Sequence, residues 1–176
     1  RERCDSCSAP TMHPEREPTE AVRFTDGPRL LADVGATHVR FALESAPQCF
    51  DVIESLPSER HASLESAVRA FMSSQGQPSV RHAVFSVAVP VSGDHVQLTN
   101  HPWAFSVETM RRSLKLQTLL VVNDYTALAM GISRLEPHEV VQVGGGDATA
   151  GAVIGVIGAG SGLGVSGLVP FQNRTV

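Results

Sequence analysis

Residues 30–43 read Leu-Leu-Ala-Asp-Val-Gly-Ala-Thr-His-Val-Arg-Phe-Ala-Leu. Leu30 to Val34 is apolar apart from Asp33, and Gly35 ends the run. Val39 to Leu43 resumes it with a partly alternating pattern, so the spacing predicts two strands around a glycine-containing turn, a β-hairpin. The first strand then delivers the Asp33 carboxylate to its C-terminal tip. The turn after it presents backbone N–H groups and the Thr37 hydroxyl. Phosphate oxygens need such donors, and a glycine lets the backbone approach closely. A carboxylate there would repel phosphate unless a cation intervened, which makes Asp33 a candidate Mg²⁺ partner, directly or through water. The other reading of these residues is a hairpin turn that merely contains Asp, Gly and Thr.

Downstream, a third strand is expected over Phe50 to Leu56, ending before Pro57. Leu64, Val68 and Phe71 then recur at helical spacing with Ala67 and Met72 beside them. Ser63 or His61 stands near the start of this helix, and Gly76 and Pro78 end it. Ala83 to Val89 is a continuous apolar run, the pattern of a strand buried on both faces. Ser92-Gly93-Asp94 is a turn, with a short return strand from His95 to Thr99. Ser106 is placed to cap a helix from Val107 to about Leu116, with Glu108 in its first turn and Arg111-Arg112 later. Leu119 to Val122 reads as another buried strand that runs into Asn123-Asp124 and a helix reaching Ile132. Ala152 to Ile157 is a strand, Gly158 to Gly164 a glycine loop, and Leu163 to Val169 the start of a further strand. The order is βββαβαβα, with more strands at the end. The fold class is therefore α/β, a mixed sheet with flanking helices.

Residues 1–27 are rich in Pro, Glu, Arg, Ser and Thr and read as a disordered leader. Cys4 and Cys7 form a CxxC within it, which admits a zinc or redox reading or a loose tail with two thiols. Zinc would need two more ligands, and the one early candidate is His13. A thioredoxin-like motif would follow a strand and open a helix. With Cys49 the cysteines number three, and an odd count without an apolar signal segment fits a reducing compartment, hence a cytoplasmic protein. No apolar run is long enough for a membrane span. A net charge of -4 gives no support for a nucleic-acid groove or an anionic membrane surface as partner. A length of 176 residues suits one domain and hardly two.

Two further constellations carry chemistry. Gly158-Ala159-Gly160-Ser161-Gly162-Leu163-Gly164 places four glycines in seven positions after an apolar strand. That density implies positive φ or a close ligand, and Ser161 offers a second hydroxyl for phosphate. A dinucleotide-binding fingerprint is the competing reading, although a helix would then follow, whereas Val165 to Val169 looks strand-like. A flexible linker is the third. Asn123-Asp124 ends a buried strand and opens a helix. Asn and Asp are favoured N-caps, and a carboxylate there also lies at the ligand edge of an α/β sheet. The two readings coexist if Asn123 caps while Asp124 faces substrate.

Two glycine–hydroxyl turns with a carboxylate between them resemble the superfamily of sugar kinases, actin and the Hsp70 chaperones (ASKHA). More specifically, the chain resembles the bacterial glucokinases. The resemblance rests on Leu30 to Leu43, Val89-Pro90-Val91-Ser92-Gly93-Asp94 and Thr99-Asn100-His101-Pro102-Trp103-Ala104-Phe105-Ser106. It continues in Val122-Asn123-Asp124-Tyr125-Thr126-Ala127 and Gly158 to Val165, all in family order between Arg29 and Val169. The Thr-Asn-His-x-Trp segment separates glucokinases from the ROK kinases and repressors.

The resemblance implies a ribonuclease H-like fold of the actin/hexokinase ATPase type. Residues 28–170 would form the small N-terminal domain and 171–176 a truncated tail, with the second, larger domain absent. It implies ATP-dependent phosphorylation of glucose to glucose 6-phosphate with Mg²⁺. Asp124 would be the general base on the 6-hydroxyl, and Asn123, Asn100 and the backbone near Gly162 would bind sugar. Ala32, Asp33, Val34, Gly35, Ala36 and Thr37 would hold the nucleotide phosphates from one side, and Gly160 and Ser161 from the other. His101 and Trp103 would lie near the cleft, Trp103 as a packing anchor. A homodimer of the full-length protein is compatible with the family.

The chain departs from the family in three places. The first turn usually reads Asp-x-Gly-Gly-Thr-Asn, and here Ala36 and His38 replace a glycine and the asparagine. If position 36 needed positive φ, alanine would cost on the order of 1 kcal/mol. Ser161 stands where threonine is commoner and keeps the hydroxyl. The Pro-Gly-Glu-Gly-Gly-His segment that supplies more sugar ligands is not in the chain. Recognition of hydroxyls needs a nearly complete polar constellation, so little or no activity is expected of these residues alone. The alternatives are a non-catalytic truncated product and a sugar-sensing module of a glucokinase–transcription regulator fusion.

Overall fold

The computed structural model describes residues 23–147, 149–159, 162–171, 174 and 175. Cys4, Cys7 and His13 lie outside them, as does most of the expected leader. The chain divides into two compact units, Arg1–Val122 and Asn123–Val176.

The first unit is built on a five-stranded sheet. Its elements are β1 (Arg29–Val34), β2 (His38–Ala46), β3 (Cys49–Pro57), α1 (Leu64–Ser74), β4 (His82–Val87), β5 (His95–Gln97), β6 (Ala104–Ser106), α2 (Val107–Ser113) and β7 (Thr118–Asn123), whose last residue crosses the boundary. The strand order is β3-β2-β1-β4-β7. β1, β2 and β3 run antiparallel, and β4 lies parallel to β1. The sheet is therefore mixed, as the sequence predicts.

Alternation along the strands puts Leu30, Val34, Val39, Phe41, Phe85 and Val87 on one buried face. α1 covers that face with Leu64, Ala67, Val68 and Phe71, the i, i+3, i+4, i+7 stripe of an amphipathic helix. Phe41 and Phe71 stack with ring centroids 4.9 Å apart. α1 starts at Leu64 because the Ser63 hydroxyl accepts the Ser66 N–H, and the Ser66 hydroxyl accepts the Ser63 N–H in return. Such a cap contributes about 1 kcal/mol. Gly76 (φ +78) and Gln77 (φ +56) turn the chain out of the helix before Pro78.

β4 and β7 correct the sequence reading, which buries them on both faces. Val84 remains 37% exposed and Leu120 48%. A continuous apolar run shows only that each residue tolerates burial, and periodicity cannot tell which face is covered. β6, which the sequence pattern does not predict, forms a three-residue antiparallel ladder with β5. Beside it Trp103 is buried, and its indole N–H donates to the His61 carbonyl at 3.2 Å. It is a packing anchor.

The second unit contains α3 (Asp124–Ile132) and the antiparallel hairpin of β8 (Ile154–Ala159) and β9 (Leu163–Leu168), followed by the two-residue strands β10 (Pro170–Phe171) and β11 (Arg174–Thr175). Ala129, Val156 and Leu168 are buried together, with Tyr125 and Ile132 packed on them. The other face of the hairpin leaves Ile157, Leu163 and Val165 exposed.

Candidate active site

Cross-strand register fixes the surroundings of Asp33. Arg40 on β2 and Ser86 on β4 stand directly opposite it. The Ser86 hydroxyl donates to Asp33 Oδ1 at 2.9 Å, and the Arg40 guanidinium reaches Oδ2 at 3.5 Å. The carboxylate is half-exposed at the C-terminal end of its strand, where the sequence predicts it. Ala32 and Val34, its neighbours, point into the core on the opposite face. Only their backbone is available to a ligand.

The turn from Gly35 to Thr37 is tight. The Gly35 N–H donates to the His38 carbonyl at 3.0 Å. A Cβ on Gly35 would crowd that same oxygen at 3.0 Å, so the glycine eases a close approach and does not serve positive φ. Ala36 is not among the residues with positive φ, so alanine there is unstrained. Ser58, fully buried after β3, braces the turn from behind. Its N–H donates to the Thr37 carbonyl at 2.9 Å and its hydroxyl to the Gly35 carbonyl at 3.4 Å. Sequence reasoning missed Ser58, because a serine after a strand-ending proline carries no chemical signature. His38, the departure from the family pattern, places Nδ1 3.2 Å from the Thr37 hydroxyl.

Asn123 and Asp124 meet at the start of α3. Asn123 Oδ1 accepts the N–H groups of Tyr125 at 3.0 Å and Thr126 at 3.3 Å, so it is the N-cap. Asp124 Oδ1 accepts the Tyr125 N–H at 2.8 Å and the Asn123 side-chain amide at 2.9 Å. One carboxylate oxygen is thereby anchored to the helix end. The other, Oδ2, has no hydrogen-bond partner among the described residues.

Asn100 is exposed in the bend between β5 and β6. Next to it the His101 ring meets Trp103 edge-on at 4.3 Å, and His101 Nδ1 is buried without a hydrogen-bond partner among the described residues. Gly162 is exposed at the tip of the β8–β9 hairpin; Gly160 and Ser161 lie outside the described residues.

The hairpin changes the meaning of two glycines. Gly158 and Gly164 face each other across the strands. Neither has positive φ; a Cβ on Gly158 would stand 2.5 Å from the Tyr125 hydroxyl, and one on Gly164 would overlap the Tyr125 ring. Their small size serves an aromatic ring of the same unit, where the sequence pattern pointed to positive φ or a ligand.

No group of three or more His, Cys, Asp or Glu side chains able to hold a metal occurs among the described residues. Mg²⁺ needs no such cage. It keeps several waters and takes one or two carboxylates plus substrate phosphates. Asp33, a half-exposed hard-oxygen donor with a long contact to Arg40, fits that role. No helix among the described residues is long and apolar enough to cross a membrane.

Comparison with known proteins decides the family. The glucokinase family model matches residues 30–176. The chain belongs to the glucokinase family. It is 52% identical over 146 residues to the glucokinase of Cupriavidus pinatubonensis, covering 81% of this chain and 43% of that one. It is 47% identical over 156 residues to the bifunctional protein glk of Burkholderia pseudomallei, covering 89% of this chain and 24% of the relative. The chain thus spans less than half the length of these curated relatives. The crystal structure of a glucokinase from an Antarctic psychrotroph superposes with a TM-score of 0.76 at 31% identity, covering 85% of this chain and 48% of that one. A ROK family glucokinase from Streptomyces griseus, solved with glucose and AMPPNP, matches with a TM-score of 0.57 at 19% identity and shows the fold alone. The mixed sheet of this glucokinase family member is the ribonuclease H-like sheet of the actin/hexokinase class.

Proposed function

We propose that this chain carries the phosphate-turn and catalytic-base portion of an enzyme that transfers the γ-phosphoryl group of ATP to the 6-hydroxyl of glucose in the cytoplasm. The observation that carries the reading is the Asp124 carboxylate, anchored through Oδ1 and open at Oδ2. A carboxylate so oriented accepts a hydroxyl proton as the oxygen attacks phosphorus. The transition state is loose, so catalysis depends on positioning and on neutralising phosphate charge. The Gly35–Thr37 turn, braced by Ser58, presents backbone donors to phosphate oxygens, with Gly160 and Ser161 assigned the same task by family resemblance. Asp33 would hold Mg²⁺ through water, and the ion would offset the charge of the phosphates. Asn123, Asn100 and the Gly162 backbone are proposed sugar contacts.

Within the chain these contacts are too few to enclose a sugar, so the chain alone is proposed to turn over little or not at all. Isothermal titration with glucose and with Mg·ATP, repeated for Asp124→Ala, tests the site. Glucose binding that weakens in the variant supports it. In a chimera where residues 30–176 replace the matching part of the Cupriavidus glucokinase, Asp124→Ala should lower kcat by about 10²–10⁴-fold. An active Asp124→Ala chimera would remove Asp124 from the mechanism, and steady glucose-dependent ADP release by the 176-residue chain would refute its proposed dependence on further residues. A sugar-sensing module of a larger regulator is the second reading, favoured by the long relatives named bifunctional.

A further inference from the structure

Tyr125 makes two connections at once. Its backbone N–H donates to Asp124 Oδ1 at 2.8 Å and to Asn123 Oδ1 at 3.0 Å. Its ring lies over the Gly158–Gly164 pair, where any side chain on either glycine would meet it. We infer that Tyr125 is the positioning residue of the proposed base: the ring is keyed into a notch on the hairpin, and the amide of the same residue holds the carboxylate. The inference rests on the assignment of Asp124 as base.

The geometry explains why both glycines are needed and why they stand opposite each other. A cross-strand pair shares one face of a hairpin, with side chains about 4.5–5.5 Å apart. Two glycines there open a gap of ring width, which an aromatic side chain fills with apolar contact. Val156 and Leu168 on the same hairpin face, and Ala129 on α3, close the cluster around the ring. The carboxylate is thus referenced to the hairpin that ends in the glycine loop. An aromatic ring serves because it is flat and has only two side-chain torsions to fix. The hydroxyl adds nothing the argument requires, so phenylalanine should serve as well.

The test uses the whole chain with ¹³C-labelled aspartate, the Asp124 carboxyl resonance being assigned by its loss in Asp124→Asn. Tyr125→Ala should shift that resonance, and Tyr125→Phe should restore it. Gly164→Ala, which pushes the ring out of the notch, should shift it although Tyr125 is intact. Adding Gly164→Ala to Tyr125→Ala should bring no further shift. Val156→Ala, which loosens the same cluster outside the notch, should leave the resonance in place. Tyr125→Leu keeps apolar bulk without the flat fit and replaces Tyr125→Ala if the latter fails to fold. An Asp124 resonance unmoved by Tyr125→Ala and Gly164→Ala, or moved equally by Val156→Ala, would overturn the inference. The measurement uses neither glucose nor ATP, so it stands or falls apart from the kinase reading, which the Asp124→Ala titration addresses.

Discussion

The ring of Tyr125 occupies the volume that a side chain on Gly164 would need. Gly164→Ala should therefore destabilise the second unit by about 1–3 kcal/mol, the usual cost of overpacking. Gly158→Ala should cost less, because its Cβ would meet the outer end of the ring at the hydroxyl. Tyr125 is the one tyrosine and Trp103 the one tryptophan. Chemical denaturation followed separately by the two chromophores checks the prediction, the tyrosine transition moving to lower denaturant and the tryptophan transition holding.

Phe71 is fully buried and stacked on Phe41 between α1 and the sheet. Phe71→Ala should cost about 3–5 kcal/mol. Here the Trp103 transition should move, since that residue shares the core of the first unit. A loss below 1 kcal/mol, flagged by an almost unmoved midpoint, would mean that the site collapses around the gap.

Glu108 receives a forked pair of bonds from Arg111 at 2.7 and 2.8 Å and another from Arg112 at 2.7 Å. Arg111 chiefly, with Arg112, holds its carboxyl down at about 2, against 4.5 for a free glutamate. A depressed carboxylate contributes stability that is present above the unfolded value and is lost as pH falls through the folded one. The contribution should fade from pH 4.5 toward pH 2. Melting temperatures across that window should fall less steeply for Glu108→Gln than for the parent chain.

Ile157 and Val165 face each other on the open side of the hairpin, with Leu163 beside them, and all three are exposed. A contiguous apolar surface of this kind favours association. The isolated chain should sediment as a concentration-dependent mixture. Ile157→Thr with Val165→Thr should shift it toward monomer while leaving the Tyr125 face of the hairpin intact.

Much of the fold was legible because local patterns and global packing agree. The Asp33–Arg40 turn lies where the two apolar runs placed it, Ser63 and Ser106 cap the helices they precede, and Asn123 caps as the Asn-Asp pair suggested. What could not be read was long-range. Ser58 braces the Gly35–Thr37 turn from 23 residues away, and no local rule links the two. The glycines at 158 and 164 are visible in the sequence, but the Tyr125 ring that meets them comes from a different element, so their pattern alone points to positive φ or a ligand. β4 and β7 were misjudged because a half-open strand with apolar residues on both sides has the same composition as a buried one.

β7 closes the five-stranded sheet at Asn123, and the proposed base is the next residue. A ribosome releases the N-terminus first, and units that appear early fold early. Every strand of that sheet, and the helix that carries Phe71, is synthesised before Asp124 and before either strand of the hairpin. The nascent chain can thus bury its largest apolar cluster before the hairpin has emerged from the ribosome, and translation order itself separates the building of the support from the building of the end that carries the proposed base.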